Sequence, residues 1–103
     1  MKYVLMVYGQ MTENDEERTI GMQKMAAWYQ ALGSAVADRG APFTGAAKTV
    51  SDDEVDDRPD EPGPTGYSIL EADSLADAVE MARGCPLLKS GRTITLYETF
   101  SPM

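Results

Sequence analysis

Residues Lys2–Tyr8 read Lys-Tyr-Val-Leu-Met-Val-Tyr, apolar at every position after Lys2. The run is too short for a core helix, rich in β-branched and aromatic residues, and lacks the alternation of a half-buried strand. It therefore reads as a central strand covered on both faces. That requirement is demanding for this chain. With 103 residues it is one domain, and a domain of that size removes only about 65% of its unfolded surface from water. Few helices are available to shield two sides of a sheet, so self-association is the expected source of the remaining cover.

A second stretch, Gly66–Pro86, sets the local order of elements. Tyr67-Ser68-Ile69-Leu70 is β-favouring and follows a Pro/Gly-rich segment, so it reads as a strand. Asp73 and Ser74 offer a side-chain acceptor to the free N–H groups of a helix start, and Asp77 stands three residues after Ser74 in a variant capping box. Leu75, Ala78, Val79 and Ala82 follow as one apolar stripe at helical spacing. Gly84 permits a left-handed helix end and Pro86 forbids continuation.

The remaining elements follow in order. Thr12, with Asp15 three residues on, resembles a helix start, and Glu13, Asp15, Glu16 and Glu17 suit the positive end of a helix dipole. The stripe Met25, Trp28, Leu32, Ala35 and Val36 carries this helix to about Ala37, with Asp38-Arg39-Gly40 as its end and Pro42 as the seal. Phe43–Val50 is assigned as the next strand, bulged at Gly45. The segment from Ser51 to Thr65 is acidic and carries Pro59, Pro62 and Pro64, so it reads as a solvated loop with room for a short hairpin extension. Thr93–Thr99 alternates Ile94 and Leu96 against Thr93, Thr95 and Tyr97, a strand with one aliphatic face.

The order is therefore β-α-β-β-α-β, an α+β chain of ferredoxin-like arrangement with a four-stranded antiparallel sheet. Both helices then cover one face and leave the other open. Parity sends Ile94, Leu96 and Ile69 toward the helices, and Thr95, Tyr97, Ser68 and Tyr8 to the open face. A twofold dimer whose two sheets enclose a barrel-like core would cover that face. A large exposed apolar patch on a lone subunit would otherwise favour aggregation.

Several motifs resemble the YCII-related, or DGPF-domain, family along nearly the whole chain. They are Met1-Lys2-Tyr3 with Tyr8-Gly9; Trp28-Tyr29, Leu32-Gly33 and the run Asp38-Arg39-Gly40-Ala41-Pro42-Phe43; Gly66-Tyr67-Ser68-Ile69; Glu71-Ala72-Asp73-Ser74-Leu75; and Gly84-Cys85-Pro86. The resemblance implies a dimeric α+β barrel of ferredoxin-like subunits, with a cleft for a small organic molecule. Two departures bear on chemistry. The chain has no His, so the His-Asp pairing of many members does not carry over, and Pro64-Thr65-Gly66-Tyr67 stands near where the Asp-Gly-Pro-Phe signature would be.

Charge and composition narrow the function further. Net charge is −8, but seven of the seventeen acids lie between Asp52 and Glu61. The rest of the chain is nearly balanced, which argues against nucleic acid as a partner, since that requires a basic face. No run approaches transmembrane length, Met1-Lys2-Tyr3 leads straight into a strand without a signal peptide, and one Cys excludes an internal disulfide framework. The expectation is a cytoplasmic protein with no membrane partner, no cofactor and no metal. The acidic run lacks the spacing and central Gly of an EF-hand, and no phosphate loop or zinc spacing is present.

Without His, a general base near neutral pH must be a carboxylate of raised pKa, a Tyr or a Cys. Asp38 and Asp73 are the catalytic candidates, each also explained as a turn residue or a helix cap. Cys85 follows a helix C-terminus, where the dipole disfavours a thiolate, so it reads as buried filler. Tyr8, Trp28, Ser68, Thr95 and Tyr97 are the pocket candidates, with core or dimer packing as the competing role. Two functions fit. One is a dimer that binds a small organic molecule, with cofactor-free isomerase- or lyase-type chemistry. The other is a non-catalytic module that binds a protein partner or senses a metabolite.

Overall fold

Along the first strand, burial alternates with every residue. A computed structural model of the chain describes residues 1–9, 14–57 and 63–101. In β1 (Lys2–Tyr8), Tyr3 and Leu5 are fully buried and Val7 nearly so, while Val4, Met6 and Tyr8 are only half-buried. Covered and uncovered faces thus coexist on one continuously apolar strand.

The elements that follow are α1 (Asp15–Leu32), β2 (Val36–Pro42), a small hairpin of β3 (Thr49–Val50) and β4 (Val55–Asp56), β5 (Pro64–Glu71), α2 (Leu75–Arg83) and β6 (Thr93–Glu98). The main sheet runs β2-β5-β1-β6 with antiparallel neighbours throughout. The architecture is α+β and ferredoxin-like, with the hairpin inserted between its two β-α-β halves, after β2 and before β5. Both helices lie on one face: Trp28 of α1 and Ala82 of α2 pack with Leu5, Val7, Leu70 and Cys85, and Ala78 packs with Tyr3 and Ala72. The chain measures 18 Å along its shortest axis and has a radius of gyration of 15.0 Å. A compact domain of 100 residues has about 13 Å, so this one is a flattened two-layer slab.

Local chemistry accounts for most element ends. Asn14 caps α1, its side chain accepting from the Glu17 amide at 2.8 Å, with Asp15, Glu16 and Glu17 in the first turn. The start expected at Thr12 falls outside the described residues. Ser74 caps α2 as expected, accepting from the Asp77 amide at 3.1 Å.

Three expectations are corrected. Helix α1 stops at Leu32, not Ala37, because Gly33 turns the chain with φ 60°. Ala35 and Val36 therefore lie outside the helix, and Val36 reaches the core from β2, level with Leu70. The second sheet strand is Val36–Pro42, not Phe43–Val50. Asp38-Arg39-Gly40 is a strand segment, distorted by register shifts on either side of Asp38. The amide of Phe43 still donates to Thr65 at 2.8 Å, and Thr49–Val50 pairs instead with Val55–Asp56 in the separate hairpin. Finally, Gly84 ends α2 in right-handed conformation with φ −85°. Its smallness serves contact, since a Cβ there would meet Trp28 Nε1 at 3.4 Å.

Candidate functional site

The uncovered face of the sheet is built from three cross-strand rows. Val4 lies between Ile69 and Tyr97, Met6 between Tyr67 and Thr95, and Tyr8 between Pro64 and Thr93. Paired residues on antiparallel strands point to the same side, so these rows form one surface. Phe43 extends it at the β2 end, its ring stacked on Tyr67 with centroids 6.0 Å apart. Phe43 and Tyr97 are 43% and 51% exposed. The surface is aliphatic in the middle and carries one tyrosine from each of three neighbouring strands.

Of the five pocket candidates, Tyr8, Thr95 and Tyr97 share this face. Trp28 and Ser68 lie beneath the helices, on the other side of the sheet. Trp28 is core, its indole N–H donating to the Met81 carbonyl at 3.3 Å and its ring 5.1 Å from Tyr29. Ser68 and Ile69 have the opposite phase from the one expected: Ser68 is 2% exposed and Ile69 faces outward. The reason is that Ser68 is fully satisfied inside. Its Oγ is 2.5 Å from the Tyr29 hydroxyl, and the two hydroxyls lie 2.9 and 3.1 Å from the Arg39 carbonyl oxygen. With two hydrogens between them, one hydroxyl donates to the other, which donates to the carbonyl. A buried hydroxyl with such partners costs little. Burial pushes the Tyr29 phenol above its ordinary value, against the lowering effect of the Ser68 hydrogen bond. The Arg39 guanidinium lies over the Tyr29 ring, 5.4 Å from its centroid.

The two candidate carboxylates also part company. Asp38 stands in β2 level with Ile69, at the rim of the uncovered face, and its Oδ1 accepts from the Gly40 amide at 2.8 Å. That contact turns the strand tightly through Gly40, whose φ is 72° and where a Cβ would run into the Tyr67 carbonyl. Asp73 is exposed in the connection between β5 and α2, grouped with Met1, Leu32 and Met81 and outside the tyrosine rows, and the cap beside it is Ser74. Cys85 is 2% exposed, with its Sγ 3.8 Å from Met25 Sδ, and desolvation pushes its thiol up. A protonated, sealed thiol is a poor nucleophile.

Met6, Tyr67, Ile69 and Phe43 are members of the face that sequence parity missed. Small Gly66 and Ser68 alternate with Tyr67 and Ile69. Room for the helix layer over the small residues is the signal that would have phased the strand.

The fold places the chain among ferredoxin-like α+β proteins with one sheet face uncovered. No protein-family profile matches the chain, and no curated protein matches it. Among solved structures it is similar to 5-chloro-2-hydroxyhydroquinone dehydrochlorinase from Burkholderia phenoliruptrix in complex with 2,5-dihydroxybenzoquinone. The TM-score is 0.63 over 99% of this chain and 96% of that one, at 16% identity, so the likeness is one of fold. No helix among the described residues is long and apolar enough to cross a membrane.

Proposed function

We propose that this chain is a YCII-related subunit that pairs with a second copy across its uncovered face and binds a small hydroxylated aromatic molecule beside the sheet. The observation that carries this reading is the surface itself: Val4, Met6 and Ile69 flanked by Tyr8, Tyr67 and Tyr97. Aliphatic side chains and ring faces suit a flat apolar body, and phenol hydroxyls suit the oxygens on its edge. The similar fold of a dehydrochlorinase crystallised with a dihydroxyquinone supports the ligand class. A lone cysteine is at home in the reducing cytoplasm, where we place the protein.

The chemistry that fits is cofactor-free and of isomerase or lyase type. A base takes a proton from a ring hydroxyl, the O–H electron pair becomes a carbonyl π bond and the displaced ring π pair takes up a proton at a ring carbon; a leaving group on that now saturated carbon can then depart with its electrons as a second hydroxyl loses its proton. Asp38 is the base we assign, because of the two candidate carboxylates only it lies at the rim of the tyrosine surface. Tyr8 and Tyr97 would hold the oxygens that gain charge, in the manner of an oxyanion site.

Thermal-shift measurements with hydroquinone and catechol test the binding, with cyclohexane carboxylate as the contrasting probe. A rise in melting temperature with the phenols, lost in Tyr97→Phe, is the expected result; no rise with any hydroxylated aromatic overturns the ligand class. Where turnover of such a compound is found, Asp38→Asn should reduce it at least a hundredfold, and unchanged turnover removes Asp38 as the base. Light scattering at micromolar concentration should give twice the chain mass.

A further inference from the structure

One peptide group links the buried side of the sheet to the rim of its open face. The carbonyl of Arg39 and the amide of Gly40 belong to a single planar unit, whose oxygen and hydrogen point in opposite directions. The oxygen lies 2.9 Å from Ser68 Oγ and 3.1 Å from the Tyr29 hydroxyl, beneath the helices. The amide at the other end donates to Asp38 Oδ1 at 2.8 Å. Two hydroxyls under the sheet and a carboxylate at its rim are therefore attached to opposite ends of one rigid plate.

The two ends are held very differently. Ser68 is 2% exposed, and Tyr29 is half-buried, 5.1 Å from the Trp28 ring with the Arg39 guanidinium over its own. Burial pushes the Tyr29 phenol up, so it keeps its proton. Asp38 is exposed, so packing does not choose its rotamer. An exposed side chain passes between staggered wells in picoseconds to nanoseconds, and the Gly40 amide selects one of them. The backbone around the plate has little freedom. Gly40 has φ 72° and lies so close to the Tyr67 carbonyl that a Cβ would run into it. The register with β5 shifts on both sides of Asp38, and bulges of this kind re-aim a side chain.

We infer that Tyr29 and Ser68 are positioning residues, which fix the direction of the Asp38 carboxylate through the Arg39–Gly40 peptide. This rests on the reading of Asp38 as the base, and it names what aims that base. A base must meet its proton at hydrogen-bond distance, and a carboxylate that wanders among rotamers is seldom there. Oδ1 accepts from Gly40, and Oδ2 is the oxygen assigned to take the proton. The clamp has two donors. Each hydroxyl reaches the Arg39 oxygen by itself, so loss of one leaves the plate held and loss of both releases it.

Nuclear magnetic resonance of the whole chain tests this without a ligand. Three-bond couplings to the Asp38 β protons read the rotamer, and hydrogen exchange of the Gly40 amide reads the contact. Tyr29→Phe and Ser68→Ala should each leave the couplings unequal, as for one rotamer, and speed Gly40 exchange by less than about threefold. The double variant should bring the couplings to a rotamer average and speed exchange at least about tenfold. Neither substitution neighbours Gly40 in sequence, so the intrinsic exchange rate is unchanged. The Phe43 amide, bonded to the Thr65 carbonyl at 2.8 Å, is the control for general loosening of the edge. Wild-type couplings and exchange in the double variant overturn the clamp, and so does equal acceleration at Gly40 and Phe43. Should the double variant not fold, Tyr29→Phe with Ser68→Cys gives the same reading, since a thiol nearly keeps the volume and is only a weak donor. The base itself is tested separately by Asp38→Asn: unchanged turnover there, with a Gly40 amide that still responds, removes the base and leaves the clamp standing.

Discussion

Two sides of one sheet, drawing on the same strands, meet opposite fates. On the helix side, Tyr3, Leu5 and Leu70 have no exposed surface, and even a serine is enclosed with its hydrogen bonds complete. On the other side, Val4, Met6 and Ile69 are half-buried by their neighbours alone. The first side is finished within the chain, by Trp28, Ala78, Ala82 and Cys85 packed over it. The second lacks any covering layer among the described residues. The contrast shows that apolar composition says how much must be buried, while topology says which part the chain buries by itself.

Substitutions on matched positions of β1 can break that contrast. Leu5→Ala should destabilise the chain by about 2–5 kcal/mol, the cost of a core cavity, measured by guanidinium unfolding. Met6→Ala, one residue away, should cost far less when measured at concentrations too low for association. Equal losses would mean that the two sides are equally packed.

The next effect concerns assembly. Val4→Glu sets a charge in the middle of the uncovered face, beside Ile69 and Tyr97. Light scattering should then give the mass of one chain, and the unfolding midpoint should cease to depend on concentration. A variant that still weighs as two chains would locate the contact elsewhere.

A third measurement concerns the buried phenols on the helix side. Burial raises Tyr29 and, with the Glu98 carboxylate close by, Tyr3. In the unfolded chain both lose their protons near pH 10, before the folded chain does. Between those values the folded state binds more protons, so stability falls as pH rises. The raised Cys85 thiol starts the decline at about pH 8.5, where it ionises in the unfolded chain, and the two phenols steepen it above about pH 10; Tyr29→Phe should make the limb above about pH 10 shallower. The substitution itself should cost about 1 kcal/mol at neutral pH, because Ser68 can still donate to Arg39. An alkaline limb of unchanged slope would remove Tyr29 as a contributor. Smallest of all, Ser74→Ala should cost about 1 kcal/mol or less by loss of the α2 cap, without altering the mass of the assembly.

Much of this arrangement was legible in the sequence, and the reasons differ by element. Strands β1 and β6 and helix α2 announce themselves through local pattern: an apolar run, an alternation, and a capped stripe closed by Gly-Cys-Pro. Strand β2 does not. Asp38, Arg39, Gly40 and Pro42 have poor strand propensity, and they are extended only because β5 lies beside them as a template. Ala35 and Val36 continue the helical spacing of α1, so the stop at Gly33 is invisible to periodicity. Parity that sends Ile69 to the helices misphases β5, because Ser68 finds its partners in the Tyr29 hydroxyl and the Arg39 carbonyl beneath the helices. The tyrosine surface was therefore legible on β1 and β6 and hidden on β5.

The chain has a single tryptophan, and its place under the helices makes it a built-in optical gauge. Trp28 is 9% exposed, wedged against Tyr29, with its indole N–H on the last turn of α2. Its emission should shift to the red when the helices lift from the sheet, and hold its colour when two subunits merely separate. One lamp thus reads the integrity of each subunit and stays blind to company.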